Sequence, residues 1–131
     1  MLEGNCKAFQ DAVETYLIRH RSILDVLSKS QESSARVNRA VAKAVTNCGC
    51  ISISASRQPS TATMSLAEFR QQANSHLQGE LCESCKEVLA SEIGTSLFYQ
   101  AALCSLLGLE LDEILAQEAK RLSMLGIFNL S

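Results

Sequence analysis

The chain has very few of the residues that interrupt helices. A single proline, Pro59, and six glycines are spread thinly over 131 residues, so long helices are favoured from the outset. No apolar run approaches the roughly 20 residues needed to cross a bilayer. The segment Met1-Leu2-Glu3-Gly4-Asn5-Cys6 has an early acid and lacks the basic start and apolar core of a secretory signal, so a cytoplasmic location is expected. A net charge of −2 and a pI near 5.7 give no general attraction to nucleic acid or to an anionic membrane. There is no glycine-rich phosphate loop and no dinucleotide fingerprint, and with only two histidines no nucleophilic triad suggests itself. An enzymatic reading therefore has to rest on carboxylates and a metal.

What remains is ordinary in bulk and informative in pattern. Hydrophobic residues at 47% and charged residues at 20% match a globular chain of one domain, residues 1–131. Phe9, Val13, Tyr16, Leu17, Leu24 and Leu27 recur at helical spacing with His20 in the same row, which predicts a helix over 5–28. Ser28-Lys29-Ser30 offers stop and cap chemistry. Val37, Val41, Ala44 and Val45 then predict a second helix to about Asn47. Ile51-Ser52-Ile53-Ser54-Ala55-Ser56 alternates with period two, as a short strand does, and is expected to have no partner within the chain, either pairing across a homodimer or being merely extended. Gln58 to Thr63 reads as a loop. Ser65-Leu66-Ala67-Glu68 matches a capping box and predicts a third helix running towards residue 90. Ile93, Leu97, Ala101 and Cys104 continue a stripe to Gly108, and Asp112-Glu113 open a last helix carrying Leu111, Ile114, Leu115, Ala119 and Leu122. The expected fold is all-α, a bundle of four to five helices with one short extended segment near residues 51–56.

Three constellations can carry chemistry. His76, Glu80, Glu83 and Glu87 stand at i, i+4, i+7 and i+11, so one continuous helix would project them from one side. Such a stripe is either a solvated face, with Lys86 and Arg70 nearby to neutralise it, or a site for a hard cation such as Mg²⁺, which takes oxygen ligands. Arg36, Arg39 and Lys43 stand at i, i+3 and i+7, where three cations can grip a polyphosphate or simply face water. Cys48-Gly49-Cys50 and Cys82-Glu83-Ser84-Cys85 are two close thiol pairs, and without an export signal cysteines point to thiols or metal ligands rather than disulfides. Four thiolates from the two pairs would complete a tetrahedral zinc site if the fold joins them, the glycine letting the backbone turn tightly. The competing reading places Cys85 on the apolar row of Leu77, Leu81 and Val88, as a small hydrophobe. Cys6 and Cys104 sit on apolar rows and read as core.

The stretches Gly79-Glu80-Leu81-Cys82-Glu83, Glu92-Ile93-Gly94-Thr95-Ser96-Leu97-Phe98-Tyr99-Gln100-Ala101-Ala102-Leu103 and Leu107-Gly108-Leu109-Glu110-Leu111-Asp112-Glu113-Ile114-Leu115 together resemble the MazG-like all-α nucleoside triphosphate pyrophosphohydrolases. The resemblance is confined to the C-terminal part of the chain. It implies two antiparallel helices with E-E-x-x-E and E-x-x-D elements, whose carboxylates hold Mg²⁺ against a nucleotide's phosphates. It also implies release of a nucleoside monophosphate and pyrophosphate, and assembly as a homodimer or larger homo-oligomer. By that resemblance Glu80 stands for the last glutamate of the first element and Glu92 for the first of the second. Glu80, Glu83 and Glu92 would hold Mg²⁺, with His76, Glu87 and Thr95 nearby and Arg36, Arg39 and Lys43 on phosphate. His76 and Leu77 occupy the places of the family's paired glutamates, and Thr95 that of its aspartate. The alternative from the cysteines is a non-enzymatic helical interaction module held by a structural zinc site on Cys48, Cys50, Cys82 and Cys85.

Overall fold

A computed structural model describes residues 5–17, 22–59 and 64–130, the side chains of 127–130 excepted. It is all-α apart from one two-stranded ribbon. In chain order the elements are α1 (Asn5–Tyr16), α2 (Ile23–Lys43), a π-helical turn (Ala44–Cys48), β1 (Ile51–Ile53), α3 (Leu66–Gln72), β2 (Leu77–Gly79), α4 (Glu83–Leu107) and α5 (Leu111–Leu130).

The frame is a hairpin of α2 and α4. Gln100 Nε2 donates to Ser30 Oγ (3.4 Å), Arg36 Nε donates to Glu92, and Cys48 Sγ lies 3.7 Å from Cys82 Sγ. Residue numbers rise on one helix as they fall on the other, so the pair is antiparallel. The expected stop at Ser28-Lys29-Ser30 does not occur: α2 runs through it. Ser33, buried here, donates its hydroxyl to the Ser30 carbonyl (2.8 Å). A serine whose hydroxyl is satisfied within the helix loses much of its tendency to end it, and packing along α4 overrides the weak local preference. The single helix expected over 5–28 is instead two, because Ser22 is extended (φ −69°, ψ 122°) at the start of α2, where its carbonyl accepts from the Val26 amide (3.0 Å). His20 lies outside the described residues.

The core sits at one end of this hairpin. Val13 and Leu17 from the α1 end, Val26 of α2 and Ala101 and Ala102 of α4 are buried together, with Phe98, Tyr99, Leu103, Leu106 and Leu111 packed around them. The two alanines let α1 and α2 approach α4 closely. Gln10, 6% exposed, ties α1 to the α4–α5 turn. Its Nε2 donates to the Leu109 carbonyl (2.8 Å) and its Oε1 accepts from the Leu111 amide (2.8 Å). Gly108 ends α4 at φ 74°, and the Leu109 amide donates to the Cys104 carbonyl (2.8 Å), an ordinary left-handed helix stop. Cys104 is buried beside this core and Cys6 half-buried.

The far end is built differently. The alternating segment forms a strand only over Ile51–Ile53, and it has a partner within the chain: β2 pairs antiparallel with it, Ile51 opposite Gly79 and Ile53 opposite Leu77. The helix expected from Ser65 towards residue 90 is broken in two by that strand. Ser65 does cap α3, its hydroxyl accepting from the Glu68 amide (3.1 Å). The chain leaves α3 at Ala73 in extended geometry and turns at His76 (φ 62°) into β2. No helix of the described residues is long and apolar enough to cross a membrane.

Candidate metal centre

Four thiols converge where the joined end of the hairpin, the C-terminal end of α2 and the N-terminus of α4, meets the ribbon. One ligand atom from each of Cys48, Cys50, Cys82 and Cys85 falls within 4.8 Å of the others. Among the described residues this is the one group of three or more histidine, cysteine or acidic side chains placed to share an ion. Four sulfurs at the usual distance of about 2.3 Å from a tetrahedral zinc lie about 3.8 Å apart. The Cys48–Cys82 separation of 3.7 Å already has that value. None of the four is in a disulfide.

Each pair is delivered by a local device. The last turn of the α2 rod is π-helical, with the Gly49 amide donating to the Ala44 carbonyl (2.8 Å), and Gly49 ends it at φ 80°. The wider turn and the left-handed glycine bring Cys48 and Cys50 round to one side. Cys82 is the N-cap of α4, and its sulfur accepts from the Cys85 amide (3.4 Å). Cys85 follows one turn on, so a C-x-x-C pair at a helix start aims both thiols at the same point. Cys85, expected either as a ligand or as a small hydrophobe, stands in the cluster.

The ribbon holds the two pairs together. Gly79 (φ 85°) lies so close to β1 that a Cβ there would be 2.6 Å from the Cys50 carbonyl oxygen. Ile51, the residue after Cys50, is buried. The spacing of the cysteines did not single out Gly79; the signal was available as a glycine three residues before a C-x-x-C pair.

The thiols share protons unequally. The Cys85 amide, then the thiols of Cys85 and Cys48, hold Cys82 down at about 7. The Cys82 thiol and burial push Cys85 up to about 12. The Cys50 amide pulls Cys48 down, but hydrogen bonding with the Cys82 and Cys50 thiols leaves it raised. Cys82, at the positive end of a 25-residue helix, is thus the first thiolate of the set. A divalent ion would replace the remaining shared protons.

The acidic row is dispersed. His76 and Glu80 fall on either side of β2, outside any helix, while Glu83 and Glu87 begin α4. Glu83 pairs with Lys86 (3.6 Å) at the surface. Glu92 is nine residues further along α4, about 13 Å on a helix axis, and accepts from Arg36 Nε at 3.2 and 3.3 Å. Glu80, Glu83 and Glu92 therefore do not gather round one cation, and these residues do not fit the Mg²⁺ site that the resemblance implies. Thr95 donates its hydroxyl to the Ser91 carbonyl (3.1 Å) on its own helix.

The basic row does line a cavity. Arg36, Arg39 and Lys43 of α2, with Ala40 and with Val88 and Glu92 of α4, surround about 470 Å³. A smaller hollow of about 220 Å³ continues it past Glu32, Thr95 and Tyr99. Glu92 pairs with Arg36, and the other two cations lining this cavity, Arg39 and Lys43, have no carboxylate partner among the described residues. No family model, no curated protein and no solved structure matches this chain.

Proposed function

We propose that this protein is a helical interaction module whose hairpin is closed by a structural zinc ion on Cys48, Cys50, Cys82 and Cys85. The convergence of four thiols from two distant segments carries the reading. Cysteine donors suit zinc, and a closed set of four suits a structural site rather than a catalytic one, which keeps a position open for water.

The need for such an ion follows from where the core lies. Ala101 and Cys85 are sixteen residues apart on α4, about 24 Å along the helix axis. At the cysteine end, the buried apolar residues are Ala44 and Ile51, too little apolar surface to hold the ribbon against two helix ends. A structural zinc contributes its binding free energy directly to folding. The full chain purified without added chelator should carry about one zinc per chain, and a strong chelator should lower its Tm. Metal-free protein with an unchanged Tm would end this reading.

The cavity beside Arg39 and Lys43 supports a second reading, in which the module binds a nucleotide polyphosphate as the pyrophosphohydrolase resemblance implies. The cations and their apolar floor of Ala40 and Val88 suit a phosphate chain with an attached base. Titration with a nucleoside triphosphate should then give saturable binding that Lys43→Glu weakens, with any release of pyrophosphate measured alongside. Absence of saturable binding would dispose of it.

A further inference from the structure

The groove between α2 and α4 is only partly filled. At the core end α1 lies against both helices, Val13 and Leu17 packing on Val26 of α2 and on Ala101 and Ala102 of α4. α1 ends at Tyr16, whose side chain stands 78% exposed. From there the groove runs on as a chain of hollows. One of about 300 Å³ lies beside Tyr16, Phe98 and Tyr99. It shares Lys29 and Tyr99 with the hollow of about 220 Å³, which in turn shares Arg36 and Glu92 with the cavity of about 470 Å³.

The open stretch has the form of a seat for a helix. α2 faces it with Lys29, Ser33, Arg36, Ala40 and Lys43, at steps of four, three, four and three. α4 faces it with Val88, Glu92, Thr95 and Tyr99, at steps of four, three and four. Two such stripes side by side are what a third helix packs against in a bundle, and the small side chains of Ser33, Ala40 and Thr95 leave room for it. Lys29 and Lys43 are fourteen residues apart, about 21 Å along the axis, so about four turns of helix cover the opening.

Charge says what kind of helix fits. Lys29 pairs with Glu32 (3.5 Å) and Arg36 with Glu92 (3.2 Å), so the middle of the groove is balanced. Arg39 and Lys43, at the end nearer the thiols, have no carboxylate partner among the described residues, although the whole chain carries −2. The other end is aromatic. A uniform polyanion laid along the groove would be repelled at Glu32 and Glu92, whereas a polypeptide can present a different side chain at each turn. Tyrosine and arginine are also the residue types that most often anchor protein interfaces.

We propose that this groove docks an amphipathic helix of a partner protein, acidic where it crosses Arg39 and Lys43 and apolar where it enters the hollow beside Tyr16, Phe98 and Tyr99. Charge complementarity sets the orientation of that helix and rejects a basic one. The docked helix continues, along the same two stripes, the packing that α1 begins. This rests on the interaction-module reading and adds to it a surface and the chemistry of the partner.

The probes are two capped helical peptides of about 16 residues, long enough to cover the groove, with one leucine stripe in common and glutamates beside it in one, lysines in the other. Titrated into the full chain with its metal complement intact, the glutamate peptide should bind saturably and the lysine peptide should not. Arg39→Glu should weaken the glutamate peptide about tenfold, and Tyr16→Ala should weaken it as well. Both side chains are exposed, so the variants should keep the wild-type Tm, which is measured alongside. No saturable binding of the glutamate peptide overturns the proposal, as do equal affinities for the two peptides or binding that neither variant alters. A second copy of the chain that occupies the groove and is not displaced by the peptide overturns it too. Zinc content measured on the same samples separates the two readings: one zinc per chain without peptide binding removes this partner alone, whereas metal-free protein of unchanged Tm removes the metal-closed module.

Discussion

Replacing Gly79 with alanine should do more damage than any other single methyl added to this protein's left-handed glycines, and the structure says by how much. Gly79 and Gly108 both have positive φ, 85° and 74°, so alanine at either carries the same backbone strain, about 1 kcal/mol. Nothing lies within 4 Å of a Cβ at Gly108, whereas at Gly79 the Cys50 carbonyl oxygen is 2.6 Å away. That atom is backbone and cannot swing aside, so β1 and β2 must separate, adding about 1–3 kcal/mol as in an overpacked core. For a chain of this length about 1 kcal/mol moves Tm by about 4 °C. Gly108→Ala should therefore lose about 4 °C and Gly79→Ala about 8–16 °C. The shift also moves Cys50 away from Cys82 and Cys85, so a zinc competition titration should show Gly79→Ala binding at least tenfold more weakly while Gly108→Ala stays near wild type. Equal Tm losses for the two variants, or equal zinc affinities, would refute the close approach of the ribbon and its part in aligning the ligands.

Other expectations are more local. In metal-free, reduced protein, a thiol reagent followed by mass mapping should modify Cys82 first, at a rate that rises through about pH 7, with Cys85 the slowest of the four clustered thiols because it stays protonated to about 12; equal rates at both would contradict the helix-capping geometry. The folded-state value of Cys82 lies below its ordinary 9.0, so its contribution to the stability of the metal-free protein is present above pH 9 and is lost as pH falls through about 7. Cys85 has the opposite sign, since its folded value lies above 9.0; stability measured by denaturant titration should rise from pH 7 to 9 and fall again at higher pH, and a monotonic rise would show that Cys85 is not held protonated. Gln10→Ala strips partners from the Leu109 carbonyl and the Leu111 amide and should cost about 1–3 kcal/mol; a loss below 0.5 kcal/mol, on the order of a neutral surface change, would mean that water replaces it. Arg36→Ala, by contrast, removes an ion pair with one exposed partner and should cost under about 1 kcal/mol.

Much of the architecture was already written in local signals. The Ser65 cap, the Gly108 stop and the acidic start of α5 at Asp112 and Glu113 depend on a few neighbouring residues whose backbone groups need partners, so sequence order alone determines them. So does the supply of ligands: thiols two or three apart, at a glycine turn and at a helix start, are set to point one way before any folding. The partners of those signals were not legible. The break between α1 and α2 has no glycine or proline to mark it, and the alternation of 51–56 could not reveal that its mate was three residues, Leu77-Gln78-Gly79, hidden in what reads as a helix. A helical period computed across residues 76–87 lines up His76, Glu80, Glu83 and Glu87; the strand at 77–79 breaks that period, which is why the acidic row does not exist as a face. Only the antiparallel packing of α2 on α4 decides that Arg36 meets Glu92 and that Cys48 and Cys50 meet Cys82 and Cys85. Spacing along a chain determines what neighbours within one element can do, whereas contact between residues 34 to 56 positions apart depends on how many turns each helix runs before it stops, and that is a property of the packed whole.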